Sequence, residues 1–182
     1  MLLFKLIFLF QILYCGTERS AVKHLSDPAA TLVNLTPVSI TIDSLLSLPY
    51  SNHEILFHGN NLFRLPDEYR TYIIKVYPKC WSLENDNDYH LVCCDSFYKR
   101  TFIAEIPDPN CTESIRSGHS EEFRSCRRQI DSIQFVTFRG RNFFRFRFYL
   151  LITGVLFHDK IHKSLGQSKN GIELHPVLSI GY

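Results

Sequence analysis

The apolar positions change their spacing along the chain, and the changes mark its elements. From Arg70 to Leu83 (RTYIIKVYPKCWSL) β-branched and aromatic residues predict a long strand. Pro78 has no amide hydrogen to give to a ladder, so a bend or bulge is expected there. Glu84-Asn85-Asp86-Asn87-Asp88 is a turn, because such residues tolerate left-handed backbone and bond to their own main chain. Tyr89 to Asp95 (YHLVCCD) returns as a second strand. After a turn at Ser96 to Lys99, Arg100 to Ile106 (RTFIAEI) makes a third, stopped by Pro107 and Pro109.

The spacing then moves to three and four. Phe123, Cys126, Ile130 and Ile133 fall on one face of a helix over His119 to Ile133, with Glu121 and Glu122 in its first turn, where the helix dipole favours anions. Alternation resumes from Asn142 to Thr153 (NFFRFRFYLLIT). It resumes again, after a turn-rich stretch from His158 to Gly171, from Ile172 to Ile180. The order β-β-β-α-β-β with a long bent first strand predicts an all-β fold. The specific expectation is a small OB-like five-stranded barrel with one α-helix between strands three and four.

The N-terminal sequence reads differently. Lys5 and an apolar run from Leu6 to Tyr14, broken only by Gln11, make residues 1–16 a secretory signal peptide. The run is too short to span a bilayer, and no later apolar stretch reaches the roughly 18 residues of a membrane anchor. Residues 17–67 read as an irregular arm, with a turn or two of helix at Ile42 to Leu48, and residues 68–182 as the barrel. At 182 residues and 45% hydrophobic, one domain with a real core is expected. A net charge of +2 does not by itself imply a nucleic-acid protein.

A secreted, extracellular chain permits disulfides. Cys111 and Cys126 flank a loop and a helix and form the expected pair. Two sequons, Asn34-Leu35-Thr36 and Asn110-Cys111-Thr112, make Asn34 and Asn110 candidate glycosylation sites. No CxxC knuckle suggests zinc. His158 and His162 have helical ligand spacing, but the glycines at 154 and 166 argue against a helix. No phosphate loop, nucleophile elbow or Cys–His protease signature occurs, so no nucleophile stands out and no metal or cofactor is expected.

Two patterns carry candidate chemistry. On the last strand, Glu173 and His175 share the face opposite Ile172 and Leu174. Candidate partners are Glu105 and His90 at the ends of earlier strands, and Asp159 and His162 in the preceding loop. Carboxylate beside imidazole is the material of general acid–base catalysis, with His162, Glu173, His175 and Glu105 as its residues. The same pattern also fits a buried network that fastens the closing strand. On FRGRNFFRFRFY, Arg139, Arg141, Arg145 and Arg147 share parity with Phe143 and Tyr149 if the strand is unbroken through Gly140. Arginines interleaved with aromatics on an OB face suit a polyanion, either single-stranded nucleic acid or sulfated glycan. Three functions therefore stand: a secreted binding module for an anionic ligand, a small nuclease-like hydrolase, and a structural or interaction protein.

The segments LENDNDYHLV, TFIAEIPDPNC and ITGVLFHDKIHKSLGQSKNGIELHPVLSI resemble a family of small, mostly bacterial, uncharacterised secreted proteins. That family carries a G-D-x-H-L-V-like hairpin, an M-I-x-E-x-P strand end and a closing G-x-x-x-x-D-x-x-H…N-x-I-E-x-H-P-V. The resemblance covers Arg70 to Ile180 and implies an OB-like barrel. It reaches Asp88, His90, Glu105, Pro107, Asp159, His162, Asn170, Glu173, His175 and Pro176. His158 stands where the pattern has an apolar residue.

Overall fold

The computed structural model describes residues 15–16, 18–49 and 62–182. The apolar run of the proposed signal, up to Tyr14, lies outside the described residues, as does most of the stretch between Tyr50 and Asp67. The elements are α1 (Ser20–Lys23), β1 (Asn34–Ser39), α2 (Ile42–Leu46), β2 (Arg70–Leu83), β3 (Tyr89–Cys94), β4 (Thr101–Ile106), α3 (Thr112–Ser117), α4 (Ser120–Asp131), β5 (Phe135–Phe138), β6 (Arg141–Phe144), β7 (Leu150–His158) and β8 (Ile172–Gly181).

Strands β2, β3, β4, β8 and β7 close a five-stranded barrel, β7 pairing back onto β2. All contacts between neighbours are antiparallel except β4–β8, which is parallel. With β2 counted as barrel strand one, this is the OB arrangement, and α4 lies between strands three and four as expected. β2 reaches around the barrel because it is long and bent, its register with β3 slipping between Pro78 and Cys80.

Leu91, Cys93, Phe102, Ala104, Ile106, Ile172 and Leu174 fill the inside, where Phe123, Cys126 and Ile130 of α4 join them. Alternation therefore sends His90, Glu105, Glu173 and His175 to the outside of the barrel. All four are nonetheless buried, because the N-terminal segment lies over them.

Buried ion pairs tie that segment to the barrel. Arg19 donates to both carboxylate oxygens of Glu68, at 2.7 Å to Oε1, and to the carbonyl of His158. Arg64 clamps Asp27 through Nε at 3.0 and 3.1 Å. Both ion pairs are buried, and breaking such a pair strands a charge away from water. β1 adds a parallel strand to the edge of β2.

The expected bridge between Cys111 and Cys126 is not made. Cys111 is joined to Cys15, whereas Cys126 faces the barrel interior from α4 as a buried thiol. The predicted strand from Asn142 to Thr153 is also broken. β6 pairs with β2 at Cys80 and Trp81, and β7 pairs with it from Thr71 to Val76. Pro78, with no amide hydrogen, sits in the gap between the two ladders. A further hairpin, β5–β6, turns through Arg139 and Gly140 with φ of 50° and 74°, the positive values a two-residue hairpin needs.

A roofed polar row on the outer face of the barrel

The pairing aligns three side chains across three strands. His90 on β3 sits opposite Glu105 on β4. The parallel register Ile103↔Glu173 and Ala104↔Leu174 then brings His175 on β8 beside Glu105. Glu105 receives both imidazoles: Oε1 is 3.0 Å from His90 Nδ1, and Oε2 is 2.9 Å from His175 Nδ1.

Geometry places hydrogen on both nitrogens of His90, and the charges beside His175 favour its protonated form. His90 Nε2 faces the carbonyl of Leu165 at 3.1 Å, so acceptors lie at both its nitrogens and both must carry hydrogen. His175 lies between Glu105 and Asp88, whose Oδ2 is 3.3 Å from Nε2. Burial alone would lower the pKa of each ring, but the neighbouring carboxylates win and raise both. Burial would raise Glu105; instead the charge of His175 beside it, the hydrogen bond from His90 and the charge of Lys23 hold it well below the usual carboxylate range.

Glu173 behaves in the opposite way. It is buried, its carboxyl makes no hydrogen bond among the described residues, and it is pushed well above the usual range by burial and by the charges of Glu105 and Asp159. Two carboxyls of one outer face are thus pushed in opposite directions.

α1 and the disulfide form the roof. Cys15 is bonded to Cys111 at the start of α3. The His24 ring stands 6.2 Å from that of His175. Its Nδ1–H donates to the Ser20 carbonyl, and burial lowers its pKa, which disfavours a charge on the roof above the row. Lys23 Nζ lies 5.3 Å from the Phe157 ring centre. Burial would lower its pKa, but Glu105, Asp159, Glu173 and Asp86 raise it and keep it charged.

Between roof and strands lies a cavity of about 260 Å³. Its lining includes Glu18, Lys23, Glu84, Asp86, His90, Glu105, Asp159, His162 and Ser164: five carboxylates against one ammonium and two imidazoles. Apart from Glu18 and Lys23 of the roof, these come from barrel strands two and three, from the β2–β3 turn and from the β7–β8 loop, the elements that OB folds use to bind ligands. Gly166, at φ 91°, seats that loop on β3, where a Cβ would lie 2.8 Å from Val92 Cγ1.

The structure therefore brings Glu105, Glu173 and His175 together and places His162 at the cavity, through Asp159. His175 itself does not line the cavity; it fixes Glu105 from beneath. Asp88, Glu105 and His175 place ligand atoms within 4.8 Å of one another, the one cluster among the described residues that could hold a metal ion. Its geometry fits an ion poorly, since the two carboxylates face opposite ring nitrogens of His175, and one ion can use only one of them. His158 and His162 do not form a helical ligand pair; the first ends β7 and the second is in the loop. The chain's Lys23 and Ser164 carried no sequence signal: α1 has four residues, and Ser164 lies in a loop without a nucleophile motif.

The arginine stripe is dispersed. Arg139 is in the hairpin turn, Arg141 and Phe143 are on β6, and Arg145, Arg147 and Tyr149 follow in the segment between ladders. Phe143 packs on Cys80, Val92 and Cys94. Arg147 lies 5.1 Å from the ring centres of both Tyr77 and Tyr98 and donates to the Ser96 carbonyl. Lys75 stands over Tyr149. Asn34 and Asn110 are both exposed.

No family model, curated protein or solved structure matches the chain. What fold and site define is a small OB-type β-barrel with a roofed acidic cavity on the outer face of its strands two and three, and no helix among the described residues is long and apolar enough to cross a membrane.

Proposed function

We propose that the protein is an extracellular binding module whose ligand enters this cavity with a positively charged group. The carrying observation is the lining: five carboxylates face one ammonium and two imidazoles on the ligand side of an OB barrel. At about 260 Å³ the cavity is far larger than a single ion and near the small end of organic ligand sites. The segments that resemble the bacterial secreted family supply Asp88, His90, Glu105, Asp159, His162, Glu173 and His175 to this one region, which supports a shared site. The Cys15–Cys111 bridge fits an oxidising compartment. A secretory signal compatible with that bridge is cut before Cys15, since removing residues 1–16 takes the half-cystine away.

The test is an amide NMR titration of the oxidised protein with tetramethylammonium and guanidinium chlorides, and with sodium sulfate. Saturable shifts with the cations around His90, Glu105 and Ser164, lost in Glu105→Gln, are expected. Cation shifts absent from this region would contradict the proposal.

A second reading keeps a polyanion on the arginine surface, supported by Arg147 between Tyr77 and Tyr98 and by Lys75 over Tyr149. Binding of single-stranded DNA or heparin there should weaken steeply with salt and fall on Arg147→Ala.

A further inference from the structure

The β7–β8 loop holds three cavity-lining side chains hydrogen-bonded in series. His162 Nε2–H donates to Asp159 Oδ2 at 2.8 Å, and Ser164 Oγ–H donates to His162 Nδ1 at 2.7 Å. The directions are fixed by chemistry. A carboxylate only accepts, so it holds the hydrogen of the neutral imidazole on Nε2 and leaves Nδ1 as the basic nitrogen. That nitrogen faces the serine hydroxyl. Carboxylate, imidazole and hydroxyl in hydrogen-bond series are recognised as a nucleophile relay by geometry and role, whatever the order in sequence or the ring nitrogen used.

The loop geometry is held from elsewhere. Asp159 is buried, its amide bonded to the Gly171 carbonyl. Gln167 Oε1 accepts from the backbone N–H of both His162 and Lys163, and its Nε2 donates to the Lys160 carbonyl. His162 is exposed, as a base that meets a substrate must be. Lys23 lines the same cavity, with no carboxylate within 4.0 Å of its Nζ among the described residues, and is the cation available to a developing oxyanion.

We infer that Ser164 is the nucleophile of an esterase site, with His162 as its general base and Asp159 as a positioning residue, acting on small esters that carry a cationic group. The cationic part of this assignment rests on the binding reading above. Ser164 Oγ attacks the ester carbonyl carbon while its proton passes to His162 Nδ1. The carbonyl–alkoxide bond breaks, and the leaving alkoxide takes that proton. Water then attacks the acyl-serine, giving its proton to Nδ1; the acid leaves, and the proton returns to Oγ. The net reaction is ester plus water to acid plus alcohol.

The test treats the full oxidised chain with an uncharged alkyl fluorophosphonate, followed by peptide mass mapping. Labelling at Ser164 is expected, absent in Ser164→Ala and slowed about 100-fold or more in His162→Ala, the usual contribution of a positioned base. The ¹⁵N shifts of His162 should report the Nε2–H tautomer, replaced by a mixture in Asp159→Asn. No adduct at Ser164, or equal labelling in His162→Ala, overturns the nucleophile. Hydrolysis rates for a neutral nitrophenyl ester and for acetylthiocholine then separate the two claims. A preference of about tenfold or more for the cationic ester is expected. Equal rates with Ser164 still labelled would overturn the cationic selectivity and count against the binding reading, leaving the nucleophile in place.

Discussion

Two regions of this molecule carry charged residues on strands, with opposite outcomes. On β3, β4 and β8, His90, Glu105, Glu173 and His175 alternate outward and are buried under the N-terminal segment, with shifted pKa values. On β6 and the segment after it, Arg141, Arg145 and Arg147 are exposed. Alternation alone assigns both sets to an outer face. What separates them is the cover: α1, tied down by Arg19–Glu68, Asp27–Arg64 and Cys15–Cys111, lies over one and not over the other. A covered polar face must balance its charges internally, and that requirement produces the row.

Replacing a residue of the covered row should have the largest effect. His175→Ala leaves Glu105 and Asp88 as neighbouring buried anions without their shared cation. A loss of about 3 to 5 kcal/mol in urea unfolding is expected, whereas Arg145→Ala should stay within about 0.5 kcal/mol. Equal effects would erase the contrast. Next comes the roof. Cys15 and Cys111 are 96 residues apart, and a Cys111→Ser variant should lose about 2 to 5 kcal/mol, with faster amide exchange at His90 and Glu105. Exchange unchanged there would show that the segment stays in place without the bridge.

The pH dependence sharpens the comparison further. His90 and His175 have raised pKa values, so their stabilisation is complete below about 6.5 and is lost as pH rises through the folded values. Glu173, also raised, adds a cost as pH climbs above its unfolded value near about 4.3. Glu105 is lowered, so its contribution is present above about 4.3 and lost as pH falls through its folded value. His24 is lowered, so it destabilises the fold as pH drops below about 6.5. Urea midpoints should therefore peak between about pH 5 and 7 and fall on both sides. On the open surface Arg147→Ala should cost about 1 kcal/mol through its contacts with Tyr77 and Tyr98, more than the contact-poor Arg145 and less than any change in the covered row.

The barrel strands were legible because local chemistry marks their ends. The Glu84–Asp88 turn, the Ser96–Lys99 turn and Pro107 set β2, β3 and β4 within a residue or so of their observed limits. The break after Phe144 was not legible, since phenylalanines occupy both parities there and the interruption depends on Pro78 of a distant strand. In the candidate site, Glu173 and His175 stood out by their place on a strand, and Glu105 followed as a partner. The roof did not. Arg19, Lys23 and Cys15 find their partners at Glu68, across the cavity and at Cys111, and no periodicity within residues 15–27 encodes such distant pairings.

A histidine NMR titration tests most directly whether the outer row is a charged network sealed by its cover. His90 and His175 should titrate above about 6.5, the ordinary histidine value, and His24 below it. If all three instead titrate together near that value, the face is solvated, the roof does not seal it, and the account is contradicted.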